Sequence, residues 1–215
     1  MSTLSKLVLG AMGALRPVPA RGEAPTTIKL PAPVRQGGGS LVEALDKRGS
    51  ARDYRPDPLP LATLSGLLWA ANGLNRQGAG HTAPSALNAQ EIDIVVALPE
   101  GAYRFDAKAH ALELVCASDI RRVTGYQDFV DTAPLDLVYV ADHARMKMVP
   151  VSQRTSYASV AAGAIAQNVY LYCASQGLAT VLRAWINREA ISTALGLPHD
   201  QEVLLSQTVG FGKKP

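Results

Sequence analysis

The sequence predicts an α+β fold in which helices flank a central, mostly antiparallel sheet of four or five strands. Two helical segments precede every strand signal, and a long, mainly apolar helix lies between the fourth strand signal and the last two. Regular βαβ winding would instead alternate helices and strands along the whole chain. The order of elements therefore favours α+β, with about four helices in total.

Size, composition and charge limit the classes of function. The chain has 215 residues with 47% hydrophobic and 18% charged residues, which is enough for one substantial domain. The net charge is only +3, with acids and bases mixed along the chain, so nucleic acid is not an expected partner. No segment approaches the about 20 apolar residues that a membrane helix needs. The four scattered histidines predict no metal site.

The first 38 residues are predicted to be a flexible leader, and residues 39–215 a single folded domain. Prolines are frequent in this leader, and the three glycines 37–39 lie at its boundary with the domain. Its first 20 residues also resemble a secretory signal, with one cation in residues 1–6, a short apolar stretch and small residues at Val18 and Ala20, before a possible cleavage site. The sequence leaves export to the periplasm and a cytoplasmic location open.

Four helices follow from caps and apolar spacing. Ser40 and Glu43 form a capping-box pair at the start of the first, and Gly73 ends the second, residues 61–71. The third covers residues 152–176 and ends at Gly177, and Asn187 caps a short fourth. Because residues 152–176 are apolar around most of the helix, we expect this helix to be central and a second subunit to cover one side of it.

Strand signals occupy most of the remaining chain. Segment 91–98 alternates apolar residues, 101–115 has the pattern of a hairpin, and 135–142 is almost continuously apolar, as in a strand buried on both faces. Segments 178–186 and 202–211 complete the set. Residues 119–132 are predicted to be a short helical region.

The segment Arg48-Gly49-Ser50-Ala51-Arg52 is the first candidate binding site. A guanidinium binds phosphate through two hydrogen bonds, and a hydroxyl with free backbone N–H groups completes a seat for an anion. The alternative is a solvated helix end, where arginine is favoured in any case.

The second candidate is the polar turn in front of strand 91–98. Ser85, Asn88 and Gln90 offer donors and acceptors suited to a heterocycle or a ribityl chain, and the alternative is an ordinary capped turn. Arg183, a charge within the apolar run 178–186, either lies on an exposed face or needs an anionic or polar partner.

Motifs for side-chain catalysis are absent from the sequence. There is no GxSxG, no P-loop and no GxGxxG, and no Cys/His pair has the spacing of a nucleophile motif. No residue is therefore predicted to be catalytic in itself. This favours an enzyme in which a cofactor carries the chemistry and the protein supplies orientation and electrostatics.

Four segments in this order resemble the FMN-dependent nitroreductase family, including its smaller branch similar to thiazoline-oxidase-type dehydrogenases. They are KRGSARDY, LSGLLWAANGLNR, TAPSALNAQ and GLATVLRAWINREAISTALGLP, and together they extend from about Ser40 to Phe211. The resemblance implies an α+β homodimer that binds two FMN molecules at its subunit interface.

The resemblance also implies roles for individual residues. Arg48, with Gly49 and Ser50, would hold the FMN phosphate and ribityl chain, and Arg52 would lie near the pyrimidine edge of the ring. Pro84, Ser85 and Asn88 would reach the flavin from the other subunit. The resemblance assigns roles to further residues as well. The amide of Gln127 would lie against the ring, and the backbone of Arg183 and Ala184 would approach the flavin N5 edge. Lys213 or Lys214 would be a basic residue for the phosphate.

The function implied by this resemblance is an oxidoreductase. Electrons would pass from transiently bound NADH or NADPH through flavin N5 to a flat electrophile such as a nitroaromatic or a quinone. One alternative is a flavin-dependent dehydrogenase of a small substrate, and another is a non-catalytic flavin-binding protein. The sequence does not decide between NADH and NADPH, nor does it name the physiological substrate.

Overall fold

The structure is a computed structural model that describes residues 1–78 and 80–213. Its helices are α1 (Thr3–Ala11), α2 (Leu41–Lys47), α3 (Leu61–Asn72), α4 (Val151–Gln176) and α5 (Arg188–Leu195). Its strands are β1 (Val18–Pro19), β2 (Thr27–Lys29), β3 (Leu74–Asn75), β4 (Gly80–His81), β5 (Ile92–Leu98), β6 (Gly101–Asp106), β7 (Ala111–Cys116), β8 (Ser118–Asp119), β9 (Leu135–Asp142), β10 (Leu178–Arg183) and β11 (Gln201–Phe211). None of the helices in these ranges is long and apolar enough to cross a membrane.

The main sheet has seven strands in the order β10-β11-β9-β5-β6-β7-β2, and every neighbouring pair is antiparallel. The α+β class and the antiparallel sheet are thus confirmed, whereas the expected four or five strands are too few. One added strand, β2, comes from the predicted leader and pairs with β7. A strand of three residues has too short an alternation to be recognised in a sequence.

Helices cover both faces of this sheet. On one face, α3 and α4 pack on side chains such as Ile94, Leu137 and Tyr139. On the other, α5 and the segment after α1 pack on Val95, Val138 and neighbouring residues. Strand β9 is buried on both faces, as its continuous apolar pattern predicts.

Helices α3 and α4 approach closely because α3 carries a glycine at the contact. A Cβ at Gly66 would overlap the hydroxyl of Tyr172 on α4. That hydroxyl donates a hydrogen bond to the carbonyl of Thr63, 3.3 Å away. This contact fixes α4 beside the sheet, so the side chains of its C-terminal half have defined positions relative to β10.

The helix ends follow the predicted capping chemistry. Ser40 and Glu43 form a reciprocal capping box at α2, and Gly73 is the C-cap of α3. Gly177 ends α4 with a φ of 65°, in the left-handed region that favours glycine. The side chain of Asn187 accepts from the backbone N–H of Ala190 and so caps α5.

The predicted flexibility of residues 1–38 is wrong for much of this segment. Leu15 and Leu30 are buried, β1 pairs with β8, and β2 joins the main sheet. The prolines that suggest a leader are compatible with short edge strands, because such strands tolerate a missing N–H. The segment supplies a helix and two strands to the fold described by residues 1–78 and 80–213.

Two further boundaries differ from prediction. Residues 119–132 contain two separate 3₁₀ turns, Arg121–Val123 and Asp128–Asp131, rather than one helix. Strand β10 ends at Arg183 and not at residue 186, because the chain turns there and Ile186 N donates to Ala184 O. The turn brings Ala184 and Trp185 to the surface.

Candidate functional site

The segment 48–52 lies beside the paired ends of β10 and β11. Ala51 N donates to Thr180 O at 2.9 Å, and Lys213 N donates to Asp53 O at 3.3 Å. These backbone contacts bring Arg48, Arg52 and Lys213 to one end of the sheet, where all three are exposed. We call these three residues the basic cluster. The position of Lys214, the other basic residue considered for the phosphate, lies outside the described residues.

No carboxylate of residues 1–78 and 80–213 forms an ion pair with the basic cluster. The guanidinium of Arg48 lies 5.4 Å from the centre of the Tyr170 ring, which is within the range of a cation–π contact. A cation that rests on an aromatic ring keeps its N–H donors free at the rim of the guanidinium. The cluster can therefore receive an anion.

Tyr170, on α4, connects Ser50 to the end of β10. Its hydroxyl lies 2.8 Å from Ser50 Oγ and accepts a hydrogen bond from Leu182 N at 2.9 Å. With its lone pair occupied by Leu182, the tyrosine can donate to Ser50 Oγ, which leaves the serine hydrogen for a ligand. A cavity of about 180 Å³ opens here, lined by Gly49, Ser50, Tyr170, Thr180 and five further residues of the same segments together with Lys47.

Arg183 is directed into the core by Asp136. The two side chains form an ion pair of 2.6 Å, and Arg183 also donates to the carbonyl oxygen of Thr124 at 2.8 Å. Burial lowers the pKa of Arg183, and the carboxylate of Asp136 opposes this effect. The guanidinium is thus neither on an exposed face nor free for a ligand, and only the backbone at this position remains a candidate for contact with a cofactor.

The turn after β10 carries an aromatic pair. The rings of Trp185 and Tyr126 are 5.5 Å apart and tilted by 46°, and Trp185 is 53% exposed. An exposed tryptophan beside Ala184 offers a flat apolar surface at the C-terminal end of β10.

Gln127 follows Tyr126 and is half-buried. Its Oε1 lies 3.5 Å from Nη1 of Arg183, and its backbone oxygen accepts from the Lys6 ammonium at 2.7 Å. The amide predicted to face a flavin is therefore connected to the same arginine that ends β10.

The turn that contains Pro84, Ser85 and Asn88 has a strained backbone. Leu87, Asn88 and Gln90 have positive φ values of 55°, 53° and 51°. Ser85 Oγ accepts from Gln90 N at 3.0 Å and closes the turn, while Asn88 is exposed. Such conformations cost about 1–3 kcal/mol each and are concentrated at functional sites.

Two cavities border this turn. One of about 260 Å³ is lined by Ser85 and Asn88 with polar residues of the 72–82 segment, and one of about 420 Å³ lies between Pro84 and the exposed side of α4 at Tyr157 and Val160. A larger groove of about 600 Å³ adjoins the first. Its arginines Arg104 and Arg145 are already paired with carboxylates, and Asp93 and Asp106 also line it beside Lys108, so it has less capacity for an anion than the basic cluster.

The predicted site residues thus form two groups within one chain. The first group lies along β10: Arg48, Gly49, Ser50, Arg52 and Lys213 are beside its first half and the end of β11, and Gln127, Arg183 and Ala184 are at its C-terminal end. The second group, Pro84, Ser85 and Asn88, lies beside the first half of α4. The contacts of the two groups on α4, Tyr170 and Ala161, are nine residues apart. That spacing corresponds to about 14 Å along a helix.

Sequence reasoning did not identify three residues at this site. Tyr170 is hidden in the apolar pattern of α4, and Trp185 and Tyr126 are isolated aromatic residues without a motif. An aromatic residue directly after a strand end is the signal that could have drawn attention to Trp185. In the described ranges, no group of three or more His, Cys, Asp or Glu side chains is arranged to hold a metal ion.

The fold and the site define an α+β protein with a cluster of exposed cations at one end of the sheet and a cavity of about 180 Å³ beside it. The sequence model of the nitroreductase family matches residues 45–211. The chain belongs to the nitroreductase family, which is a family of oxidoreductases, and the predicted resemblance is confirmed.

Individual relatives agree with this assignment. A Methanocaldococcus jannaschii protein named as a nitroreductase is 32% identical over 151 residues, which are 66% of this chain and 76% of that protein. A Ralstonia eutropha protein described as a nitroreductase has a crystal structure with a TM-score of 0.89 and 50% identity, covering 94% of this chain and 96% of the other. The NADPH:FMN oxidoreductase of Vibrio harveyi, complexed with NAD⁺, shares the fold, with a TM-score of 0.60, 22% identity and coverage of 81% and 69%.

Proposed function

We propose that this protein is a homodimeric, FMN-dependent oxidoreductase that transfers electrons from NADH or NADPH to a flat electrophile such as a nitroaromatic or a quinone. The observation that carries the proposal is the basic cluster around Gly49 and Ser50, exposed and without carboxylate partners in the described ranges. A phosphorylated cofactor supplies the negative charge that such a cluster binds. The Vibrio harveyi relative, by its name, is an FMN oxidoreductase.

The phosphate end of FMN fits the basic cluster by charge and by donor type. Arg48 offers a planar pair of N–H donors, Lys213 a point charge, and Ser50 a hydroxyl already oriented by Tyr170. A doubly charged phosphate would gain hydrogen bonds from all three. These donors are the main source of affinity in the proposed complex.

The ring end of FMN lies, in this proposal, beside Arg52, Gln127 and the Ala184 backbone. FMN supplies the transfer of two electrons and a proton through its N5 atom. Arg52 stabilises the negative charge that develops on the pyrimidine side when the ring is reduced, and so favours acceptance of electrons. Trp185 provides the apolar wall against which a flat substrate lies. No side chain of the site needs to act as an acid or base.

A second copy of the chain completes the site. The α4 residues that contact Ser50 and the Ser85 turn are about 14 Å apart along the helix, which is too far for both groups of one chain to hold the same edge of the ring. Exposed apolar side chains lie beside the Ser85 turn, among them Leu87 at 69% and Val160 at 72% exposure. Burying this surface in a homodimer would bring the turn of one copy to the basic cluster of the other.

The first test is FMN binding by the purified protein, followed by absorbance and fluorescence. The double variant Arg48→Ala/Arg52→Ala should weaken affinity by several kcal/mol, because it removes two charge-assisted contacts. The double variant Arg21→Ala/Arg35→Ala removes the same charge from exposed positions outside the site and should bind as the wild type does. Equal affinity of all three proteins, or no binding by the wild type, would contradict the proposal.

The second test concerns the electron donor. Anaerobic mixing of the FMN-loaded protein with NADH and with NADPH should bleach the flavin rapidly with at least one of them. Bound FMN that neither nucleotide reduces would favour the dehydrogenase alternative. Bound FMN that also fails to turn over a range of acceptors would favour a non-catalytic flavin-binding protein.

The third test concerns the dimer. Val160→Asp places a charge in the surface that a second copy would bury and should shift the protein to monomers in sedimentation velocity, with weaker FMN binding. Val34→Asp, at a valine that is 83% exposed, is the matched control and should leave the oligomeric state unchanged. A wild-type protein that is monomeric with FMN bound would overturn the proposed interface.

A further inference from the structure

Lys6, on α1, is a fully buried cation at the back of the proposed site. Its side chain is 0% exposed, and its Nζ lies 2.6 Å from Asp131 Oδ1. The same ammonium donates a hydrogen bond of 2.7 Å to the backbone oxygen of Gln127. The amino group of Met1 contacts the other oxygen of Asp131 at 2.9 Å. Helix α1 is therefore attached to the 127–131 segment by two cations.

Burying an ammonium group costs free energy that these contacts must offset. Burial lowers the pKa of Lys6, while the hydrogen bond and the charge of Asp131 act in the opposite direction. An apolar side chain at this position would attach α1 to the core without that cost. What lysine adds is a donor that reaches the Gln127 backbone and fixes its position.

A second contact of α1 restricts the position of residues 125–127. A Cβ at Gly10 would lie 2.8 Å from a ring carbon of Tyr126, so the glycine allows the helix to rest directly on this ring. Gly125, on the other side of Tyr126, has no space for a Cβ, because the Arg183 guanidinium passes over it. Residues 125–127 are thus held between α1 and Arg183.

This arrangement orients the amide of Gln127. Arg183 Nη1 faces its Oε1 at 3.5 Å, so the amide Nε2 remains as a donor that has no hydrogen-bond partner within residues 1–78 and 80–213. A donor held in place beside the ring would stabilise the negative charge of reduced FMN. Helix α1 lies outside residues 45–211, to which the family model is restricted.

We propose that Lys6 is a positioning residue for the flavin site: through its hydrogen bond to the Gln127 carbonyl it holds the Gln127 amide as a donor to the FMN ring. The proposal rests on the proposed function, since it requires bound FMN. It adds the N-terminal helix to the parts of the chain that set the affinity for FMN and its midpoint potential.

The test compares Lys6→Met with Asp131→Asn. Both remove the ion pair, but Asp131→Asn keeps the contact between Lys6 and the Gln127 carbonyl. Lys6→Met should weaken FMN binding by about fivefold and shift the midpoint potential of bound FMN to more negative values. Asp131→Asn should lower thermal stability while keeping both FMN properties close to those of the wild type.

A thermodynamic cycle with Gln127→Ala shows whether Lys6 acts through Gln127. In the Gln127→Ala background, Lys6→Met should have no further effect on FMN affinity or potential. If Lys6→Met does not give soluble protein, Gly10→Ala, which pushes α1 away from Tyr126 without changing a charge, takes its place in the same cycle. Additive effects, or equal losses in Lys6→Met and Asp131→Asn, would show that α1 only stabilises the fold.

The outcomes separate this inference from the proposed function. If the wild-type protein does not bind FMN, both the proposed function and the proposed role of Lys6 are wrong. Wild-type protein that binds FMN, together with a Lys6→Met protein of unchanged affinity and potential, overturns the role of Lys6 alone.

Discussion

Asp136 and Arg183 form an ion pair of 2.6 Å in which neither side chain is more than 4% exposed. Asp136 is on β9 and Arg183 is the last residue of β10, with β11 between them in the sheet. Hydroxyl groups of Thr124 and Thr208 also donate to Asp136. The pair, together with the hydrogen bond from Thr208, thus connects β9, β10 and β11.

Removing one partner of this pair should destabilise the protein strongly. Arg183→Met leaves a buried carboxylate without its counter-charge, at a cost of about 3–5 kcal/mol in the free energy of unfolding. Urea unfolding measures this loss. Arg104→Met breaks the exposed pair with Glu113 and should change stability by less than about 1 kcal/mol. Similar losses in both variants would contradict the structural role of Arg183.

Tyr170→Phe should affect stability and FMN binding together. The change removes the acceptor for Leu182 N and the partner of Ser50, so we expect a loss of about 1–2 kcal/mol in unfolding free energy and weaker FMN binding. Tyr172→Phe, which removes one longer hydrogen bond on the same helix, serves as the control and should leave FMN affinity unchanged. Denaturant unfolding and FMN titration give the two quantities, and unchanged FMN affinity in Tyr170→Phe would exclude the role of Ser50 as an oriented donor.

Trp185→Ala should change substrate use more than stability. The side chain is half exposed, so its loss should alter the unfolding free energy by about 0.5 kcal/mol or less. For an aromatic acceptor, however, we expect an increase in KM of about fivefold, because the stacking surface is lost. Trp185→Phe should restore most of the affinity. Steady-state kinetics with a nitroaromatic and a quinone check this, and a KM that does not differ among the three proteins would count against it.

Glu91 makes stability depend on pH. It is fully buried, and neither of its carboxylate oxygens has a hydrogen-bond partner in the part of the chain that the structure describes. Burial raises the pKa of Glu91, although Arg145 and His143 act in the opposite direction. The folded protein therefore binds this proton more tightly than the unfolded chain does, and stability falls as the pH rises through the interval between the two pKa values.

Glu91→Gln should remove this decrease in stability at higher pH. At pH 7.5 we expect the variant to be more stable than the wild type by about 1 kcal/mol or more, with the difference shrinking as the pH falls below the pKa of about 4.3 of a glutamate in an unfolded chain. Urea unfolding over this pH range provides the measurement. Glu23→Gln, at an exposed glutamate, should give a difference near zero at every pH. A variant that is less stable at pH 7.5 would show that the ionised carboxylate is stabilised in the fold.

Local signals in the sequence were sufficient for most elements. The capping box at Ser40 and Glu43, the glycine after α4 and the cap at Asn187 depend on residues within one turn, so they can be recognised without a structure. The apolar run of β9 likewise predicts its burial on both faces. The segment from Arg48 to Arg52 is a candidate anion site in the sequence because its donor types are adjacent in the chain.

Contacts between distant residues could not be predicted in the same way. The sequence marks Arg183 as a charge in an apolar strand, but only the order of strands in the sheet places Asp136 beside it. Leu15, Leu30 and Lys6 look like parts of a leader until the folded sheet and the 127–131 segment supply their partners.

The sequence by itself determined the α+β class, the family and the chemical types at the site, because periodicity, caps and motifs are properties of neighbouring residues. The tertiary structure decided which donors share one end of the sheet, that Tyr170 contacts Ser50, and that α1 is attached to the 127–131 segment. These depend on long-range packing, in which a side chain's partner is set by the path of the whole chain.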